Sequence, residues 1–308
     1  MALVGTDDAT PRASLASPGD YVALLKPRVM SLVVFTALAT IIVAPGSMNP
    51  VFAFAAILCI AIGAGAAGAL NQWYDADIDA IMTRTRTRPV PSGRITAQEA
   101  LEFGGVLAFG SVLCMALFAG YLAAGLLALT IGFYLFVYTM WLKRLTVQNI
   151  VIGGAAGALP PVIAWAAATG SIAAPLPWLL FLIIFLWTPP HFWALALAGS
   201  ADYARANIPM LPVVKGAQAT RNQILIYSLI VAPLAVSPYL LGLTGPIYGA
   251  VTALGGVAFV ALAALLWRAS QNAERTAALR LFASSIFYLF AVFTALAVEK
   301  LLGFAPGA

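Results

Sequence analysis

Val51 to Leu70 carries no charged side chain and is dense in alanine and glycine, and runs of this kind recur along the whole chain. Nothing constrains the fold more, because a helix needs about 20 predominantly apolar residues to cross the hydrocarbon core of a bilayer. Inside that core backbone groups must be satisfied within the segment, so the runs read as helices. Nine spans can be drawn: 29–45, 51–71, 100–119, 122–141, 150–168, 177–197, 222–242, 246–267 and 280–299. With 62% hydrophobic and 9% charged residues in 308, an ordinary soluble domain is excluded. The expectation is an all-α polytopic membrane protein, about nine transmembrane helices in one bundle. Residues 1–19 are polar, rich in alanine and serine, and lack the apolar core of a secretory signal. They are expected to form a flexible cytoplasmic tail ahead of a single domain, 20–308.

The charges test this drawing. Lysines and arginines fall in the N-terminal segment (Arg12, Lys26, Arg28) and after the second, fourth, sixth and eighth spans, all on one side, and only Lys300 lies opposite. By the positive-inside rule the basic side is cytoplasmic, which puts the N-terminus there and the C-terminus on the opposite face. The net charge of +5 then reflects topology and an anionic substrate, not nucleic acid. Cys59 and Cys114 both fall inside spans and read as small apolar residues with no metal spacing.

The chemistry is expected at the end of the second span, in Asn71-Gln72-Trp73-Tyr74-Asp75-Ala76-Asp77-Ile78-Asp79. Asn71, Asp75 and Asp79 are spaced i, i+4, i+8, which on a helix lines them along one face. Two carboxylates and an amide oxygen in a row make a hard-oxygen surface for Mg²⁺, an ion that takes a few carboxylates and completes its shell with phosphate and water. Arg84, Arg86, Arg88 and Arg94 follow. Acids facing arginines in this way can hold a metal diphosphate, guanidinium forks taking the oxygens the metal leaves. The bland alternative is an acidic helix end and a basic loop that only orients the chain. Asp77, two residues off the row, should be solvated or paired with an arginine.

Further clusters lie on the same side. After the fourth span come Tyr138 to Arg144, with Lys143-Arg144 able to reach phosphate or merely to set topology. The fifth span is rich in small residues, permitting close helix packing, and Pro160-Pro161 should kink it. The sixth span holds Trp187-Thr188-Pro189-Pro190-His191-Phe192-Trp193 and leads to Asp202 and Arg205. If the helix continues, Asp202 falls three turns beyond His191 on nearly the same face, with Arg205 at i+3. His191, the sole histidine, reads as an imidazole bonded to a carbonyl freed by the prolines, or as an iron ligand, a proton carrier or a propionate contact. Asp202 and Arg205 read as an ordinary ion pair or as a second half of the site.

Together these residues resemble the UbiA-type intramembrane prenyltransferases. The family's N-x-x-x-D-x-x-x-D pattern stands as Asn71-Asp75-Asp79, and the R-P-(aliphatic)-P-x-G stretch as Arg88-Pro89-Val90-Pro91-Ser92-Gly93. Lys26-Pro27-Arg28, Thr188 to Leu195, Asp202-Tyr203 and Ile208-Pro209-Met210-Leu211-Pro212 are similar to the heme-prenylating branch. The resemblance runs from about residue 20 onward. It implies transfer of a farnesyl group from farnesyl diphosphate to a vinyl group of heme b, with addition of water, at a site on the cytoplasmic side of a bacterial inner membrane. It implies Mg²⁺ on Asn71, Asp75 and Asp79, and diphosphate on Arg84, Arg88, Lys143, Arg144 and Arg205. Asp202 would bind a second metal or orient Arg205. His191, Tyr138, Trp187, Lys26 and Arg28 become candidates for the heme side, and a downstream enzyme that forms heme A a possible partner. Two departures stand out: Ala201 precedes Asp202 where the branch usually has a second aspartate, and Asn207 replaces a usual glycine. Only Asp202 remains of a second D-x-x-x-D, which counts against a second two-carboxylate metal site. Asn207 tolerates the left-handed conformation a glycine would supply.

Two rival readings remain. An aromatic prenyltransferase of quinone biosynthesis would share the first motif, and the His191-Phe192-Trp193 and Ile208 to Pro212 segments argue against it. A transporter would hold ionisable groups near the bilayer midplane, whereas nearly all charge here gathers at one boundary.

Overall fold

A computed structural model describes residues 16–304, so Arg12 and most of the expected tail lie outside the described residues. Pro18 and Gly19, placed in the expected tail, belong to the first helix. The helices in order are α1 Pro18–Leu24, α2 Pro27–Val43, α3 Pro50–Tyr74, α4 Ala76–Ile81, α5 Ala97–Ala119, α6 Tyr121–Gly132, α7 Asn149–Ala158, α8 Pro160–Thr169, α9 Pro175–Ala198, α10 Ser200–Arg205, α11 Leu211–Val214, α12 Gly216–Leu240, α13 Pro246–Arg268 and α14 Gln271–Leu301. No strand occurs among the described residues.

Eight segments are long and apolar enough to cross a membrane, and α1 with α2, bent by 56° at a short break, makes up to nine. Proline opens α2, α3, α8, α9 and α13, a first-turn position where its missing N–H costs nothing. Asn49 caps α3 by accepting from Val51 N at 2.9 Å, and Thr96 with Glu99 forms a capping box on α5. α5 and α6 meet at Gly120, whose φ of +93° only glycine adopts without strain.

One expectation holds and two need correcting. The fifth span remains a single candidate crossing, Asn149–Thr169, interrupted for one residue at Leu159 where Pro160 begins a new first turn, in keeping with the kink expected there. The fourth span does not stay α-helical: beyond Gly132 it widens into a π-helix, Phe133–Trp141, and closes with a 3₁₀ turn, Leu142–Arg144. The sixth span runs helically through Pro189-Pro190 and stops instead at Gly199. Asp202 therefore begins from a new helix, and its face is set by that break, not by its distance from His191.

The core has two lobes. One gathers α9, α12, α13 and α14 around Leu180, Phe259, Tyr288 and Phe293. The other gathers α3, α5, α6 and α8 around Ile60, Met115, Leu127 and Ile163. α2 and α8 line the seam, giving Ala39 and Trp165 to the first lobe and Ala37 and Ala164 to the second. Glycines let α3 sit close to its neighbours: a Cβ at Gly104 would meet Leu70 Cγ at 2.9 Å, and one at Gly63 would meet Leu127 Cδ1 at 2.9 Å. At the basic end, two small apolar clusters clamp the loops that carry the polar residues. Ile78, Met82, Ile150, Ala196, Tyr203, Ile208 and Met210 tie α4, α7, α9 and α10 together, and Leu24, Ala69, Val90, Ile95 and Ala100 tie α1 to α3 and α5.

Candidate active site

The row Asn71-Asp75-Asp79 straddles a joint. α3 ends at Tyr74, Asp75 sits at φ −90° and ψ 11°, and α4 restarts at Ala76. Backbone bonds from Asp75 N to Asn71 O at 2.9 Å and from Asp79 N to Asp75 O at 2.8 Å carry the i to i+4 register across the joint. The three side chains stay on one side despite the bend, and all three are buried.

The structure sets one cation on each member of the row. Lys26 Nζ donates to Asn71 Oδ1 at 2.7 Å, Lys143 Nζ donates to Asp75 Oδ2, and Arg88 Nη1 donates to Asp79 Oδ2 at 2.6 Å. Lys26 comes from the α1–α2 break and Lys143 from the 3₁₀ turn after the π-helix, both distant in sequence, while Arg88 comes from the loop after α4, nine residues beyond Asp79. Arg88, Lys143, Asp79 and Asp75 all lie within electrostatic reach of the Lys26 ammonium. Lys26 sits there in a left-handed conformation, φ +52°, which costs a non-glycine residue about 1–2 kcal/mol. With its oxygen held by Lys26, Asn71 turns its Nδ2 to Asp75 Oδ2 at 2.6 Å and to Thr139 Oγ1 at 3.2 Å.

Arg144 forks onto Asp77 with two bonds of 2.7 Å and lies 5.1 Å from the centroid of the Tyr74 ring. Asp77 is thus paired with an arginine, as its off-row position predicts, and that guanidinium holds its carboxyl below the usual range. Arg144 Nη2 also stands 3.7 Å from Asp75 Oδ1. That oxygen is buried without a hydrogen-bond partner, an unusual expense for a carboxylate.

Asp202 belongs to a neighbouring cluster. It pairs with Arg205 and accepts the backbone N–H groups of Thr83 at 3.4 Å and Arg84 at 3.3 Å, and Arg205 also donates to Thr83 Oγ1 at 2.8 Å. Burial works to raise this carboxyl, but the hydrogen bonds from Thr83 and Arg84 and the Arg205 charge outweigh it and leave it lowered. Both oxygens are engaged, so Asp202 ties the 82–84 loop to α10. Arg84 extends to Tyr203 Oη at 3.4 Å. Asn207, in the position of the missing glycine, does adopt the left-handed conformation, φ +52°.

His191 is placed elsewhere on α9. Its ring is sandwiched between Trp187 and Phe282, with centroids 4.3 and 4.5 Å away, and Nδ1 lies 2.6 Å from Ser285 Oγ. Ser285 spends its single proton on Phe282 O at 2.6 Å, so the hydroxyl accepts from His191 Nδ1–H. The network thereby assigns the tautomer whose Nε2 is unprotonated. The partner is a serine of α14, not a carbonyl freed by the prolines. Trp187 reinforces the same contact by donating to Ser285 O at 3.0 Å. Tyr138 lies against Gly153 of α7, where a Cβ would strike its ring, and 5.2 Å from the Tyr134 ring. Arg28 is exposed at the start of α2. Arg94 leaves the row altogether, bonding Asp20 Oδ1 at 2.7 Å and Thr87 O at 3.0 Å.

Sequence reasoning missed Thr139 and Ser285. Thr139 follows Tyr138 and Ser285 follows Ser284 in otherwise apolar spans, and nothing in the sequence marks either hydroxyl as the partner of a distant side chain.

Among the described residues no group of three or more His, Cys, Asp or Glu side chains could hold a metal. The row supplies two carboxylates and one amide oxygen, one carboxylate oxygen being buried and unbonded. That set fits a cation completed by substrate and water oxygens better than a closed protein cage.

The family model described as the UbiA prenyltransferase family matches residues 32–290. The chain is 58% identical over 296 residues to a protein of Parvibaculum lavamentivorans, covering 96% of this chain and 93% of the relative. It is 59% identical over 290 residues to one of Rhodopseudomonas palustris, covering 94% and 93%. Both relatives carry the name protoheme IX farnesyltransferase. Among solved structures, a digeranylgeranylglyceryl phosphate synthase superposes with a TM-score of 0.75 at 17% identity, covering 92% of this chain and 98% of that one. A UbiA homolog from Archaeoglobus fulgidus bound to GPP and Mg²⁺ superposes with a TM-score of 0.62 at 18% identity, covering 89% and 99%. At these identities the two structures share the fold.

Proposed function

Because this chain belongs to the UbiA prenyltransferase family and is a multi-pass membrane protein, we propose that it transfers a farnesyl group from farnesyl diphosphate to a vinyl group of heme b, water adding to give heme O. The name shared by relatives at 58–59% identity supports the acceptor and the prenyl donor. The observation that carries the chemistry is the buried row Asn71-Asp75-Asp79 with Lys26, Lys143 and Arg88 converging on it.

Asn71, Asp75 and Asp79 would hold Mg²⁺, and when bound it would neutralise the charge building on the diphosphate leaving group. Lys143 and Arg88, which the row already holds at its edge, are placed to give charge-assisted bonds to diphosphate oxygens. Arg144, forked on Asp77, brings positive charge to the rim beside Asp75, and Arg84 and Arg205 serve the neighbouring wall. Tyr138, packed against Gly153, bears on the row from the apolar side and keeps water from the allylic carbon until the new bond forms. The departing diphosphate carries off the electron pair of the broken carbon–oxygen bond, the vinyl group supplies the pair for the new carbon–carbon bond, and the cation left on its inner carbon takes the oxygen of water, which gives up a proton to the diphosphate or solvent.

One-sided charge supports a site on the cytoplasmic face of a bacterial inner membrane, with the N-terminus on that face and the C-terminus opposite. Heme O leaves the site as an amphipathic product with a long apolar tail, so a membrane enzyme that converts it to heme A is the natural downstream partner. Isolated membranes given heme b, farnesyl diphosphate and Mg²⁺ test the reading by product mass. The expected product is heme b heavier by one farnesyl group and one hydroxyl group, absent with EDTA and in Asp75→Ala. Prenylation of a hydroxybenzoate in its place would overturn the choice of acceptor while keeping the diphosphate site.

A further inference from the structure

A crevice of about 470 Å³ opens at the basic end between the α9–α10 corner and the start of α14. It falls within the size range of small-molecule sites, ~300–1,000 Å³. Leu195 and Ala198 of α9 and Leu279 of α14 form an apolar wall, while Arg84 and Arg275 stand at its polar edge. Neither Glu274, its neighbour in sequence, nor Asp202, which lines the same crevice, pairs with Arg275. Glu274 is taken by Arg221 of α12, and Asp202 by Arg205 and the 83–84 backbone. No hydrogen bond or ion pair engages Arg275 among the described residues. An apolar slot edged by two guanidinium groups selects an amphipathic ligand with two carboxylates.

The crevice adjoins both halves of the site. The loop from Met82 to Arg84 forms part of its wall, and the next residue, Thr85, donates to Asp79 O at 2.9 Å, so one loop separates the crevice from the row. Inward, Leu195 lies one helical turn from His191, and Leu279 lies three residues before Phe282, which stacks on that imidazole. From Arg275 to Phe282 is seven residues, roughly 10 Å of helix at 1.5 Å per residue. That span is of the order of the distance from the metal of a porphyrin to its carboxylates.

We propose that this crevice is the acceptor site, taking a flat dicarboxylate macrocycle of the porphyrin class with its carboxylates on Arg275 and Arg84 and its ring against Leu195 and Leu279. The inference rests on heme b as acceptor. Arg275 becomes an acceptor-binding residue that the motifs did not mark.

Full-length protein in detergent, titrated with hemin and with hemin dimethyl ester and followed at the Soret band, tests it. Arg275→Gln is expected to weaken hemin binding about tenfold, the loss of one charge-assisted contact, and to leave the dimethyl ester, which has no carboxylate charge, as in the native chain. Leu279→Trp, filling the slot, is expected to weaken both. Calorimetric binding of pyrophosphate with Mg²⁺ should be unchanged in both variants. Native hemin affinity in both variants would overturn the crevice and leave the acceptor reading standing. A native chain that binds Mg²⁺-pyrophosphate but no hemin would overturn both. Loss of pyrophosphate binding in Arg275→Gln would place that arginine in the diphosphate site and overturn the assignment.

Discussion

Lys143 and Asp75 show what the site's charges cost. Asp75 is fully buried and its bonded cation is the Lys143 ammonium, with Arg144 Nη2 3.7 Å from its other oxygen, so Lys143→Met leaves a buried carboxylate with Asn71 as its close donor and only the more distant Arg144 charge. Breaking such a pair from one side costs about 3–5 kcal/mol, and the detergent melting temperature should fall clearly. The double variant Lys143→Met with Asp75→Asn should recover most of that stability, since no charge is then stranded, yet regain no prenyl transfer. If the double variant melts no higher than the single, the pair is not what holds this corner together. The Arg144–Asp77 pair is the contrast. Asp77 is mostly exposed, so Arg144→Lys should change stability by under about 1 kcal/mol. Because Arg144 lowers the Asp77 carboxyl in the folded state, the pair stabilises above the unfolded carboxyl range, near pH 4. It is lost as pH falls through the lower folded value. Asp77→Asn should therefore flatten stability against pH only below about pH 4. A flattening near neutrality would contradict the assignment.

Elements set how accurately these residues are presented. The widening of the fourth span into a π-helix at 133–141 places Thr139 against Asn71 and lays Tyr138 on Gly153. Such bulges concentrate at functional positions. Gly153→Ala puts a methyl into the Tyr138 ring; overpacking of this kind costs about 1–3 kcal/mol. It should lower turnover more than it lowers affinity for Mg²⁺-pyrophosphate, and equal losses in both would argue that Tyr138 has no place near the reacting carbon. At the far end, buried Glu299 accepts from the N–H groups of Gly245 at 2.6 Å and Ile247 at 2.8 Å, capping α13. Glu299→Ala strands those donors and should cost about 1–3 kcal/mol, with Glu299→Gln milder, both read by thermal melting. Neither the π segment nor this cap was legible in the sequence. Apolar period and charge register where spans lie, but a shift in hydrogen-bond register within a span leaves the apolar pattern intact.

Over the whole molecule, orientation is the testable property. With cysteines placed at Ser171 and Gln218 in a background lacking Cys59 and Cys114, an impermeant maleimide on intact cells should label the first and spare the second; the reverse pattern would invert the topology. The number and placement of spans and the gathering of basic residues at one end were all legible in sequence. So were the i, i+4, i+8 row and the left-handed tolerance of Asn207. These follow from local physics: desolvation fixes which segments enter a bilayer, and helical periodicity fixes which neighbours share a face. Only the tertiary structure decided which cation meets which acid, that Lys26 serves Asn71, that His191 answers to Ser285, and that a crevice opens beside Arg275. Those outcomes depend on segments brought together across 45, 68 and 94 residues of sequence, for Lys26–Asn71, Lys143–Asp75 and His191–Ser285, and on bends at Asp75 and Gly199. Their angles come from packing between helices, which no single stretch of sequence contains.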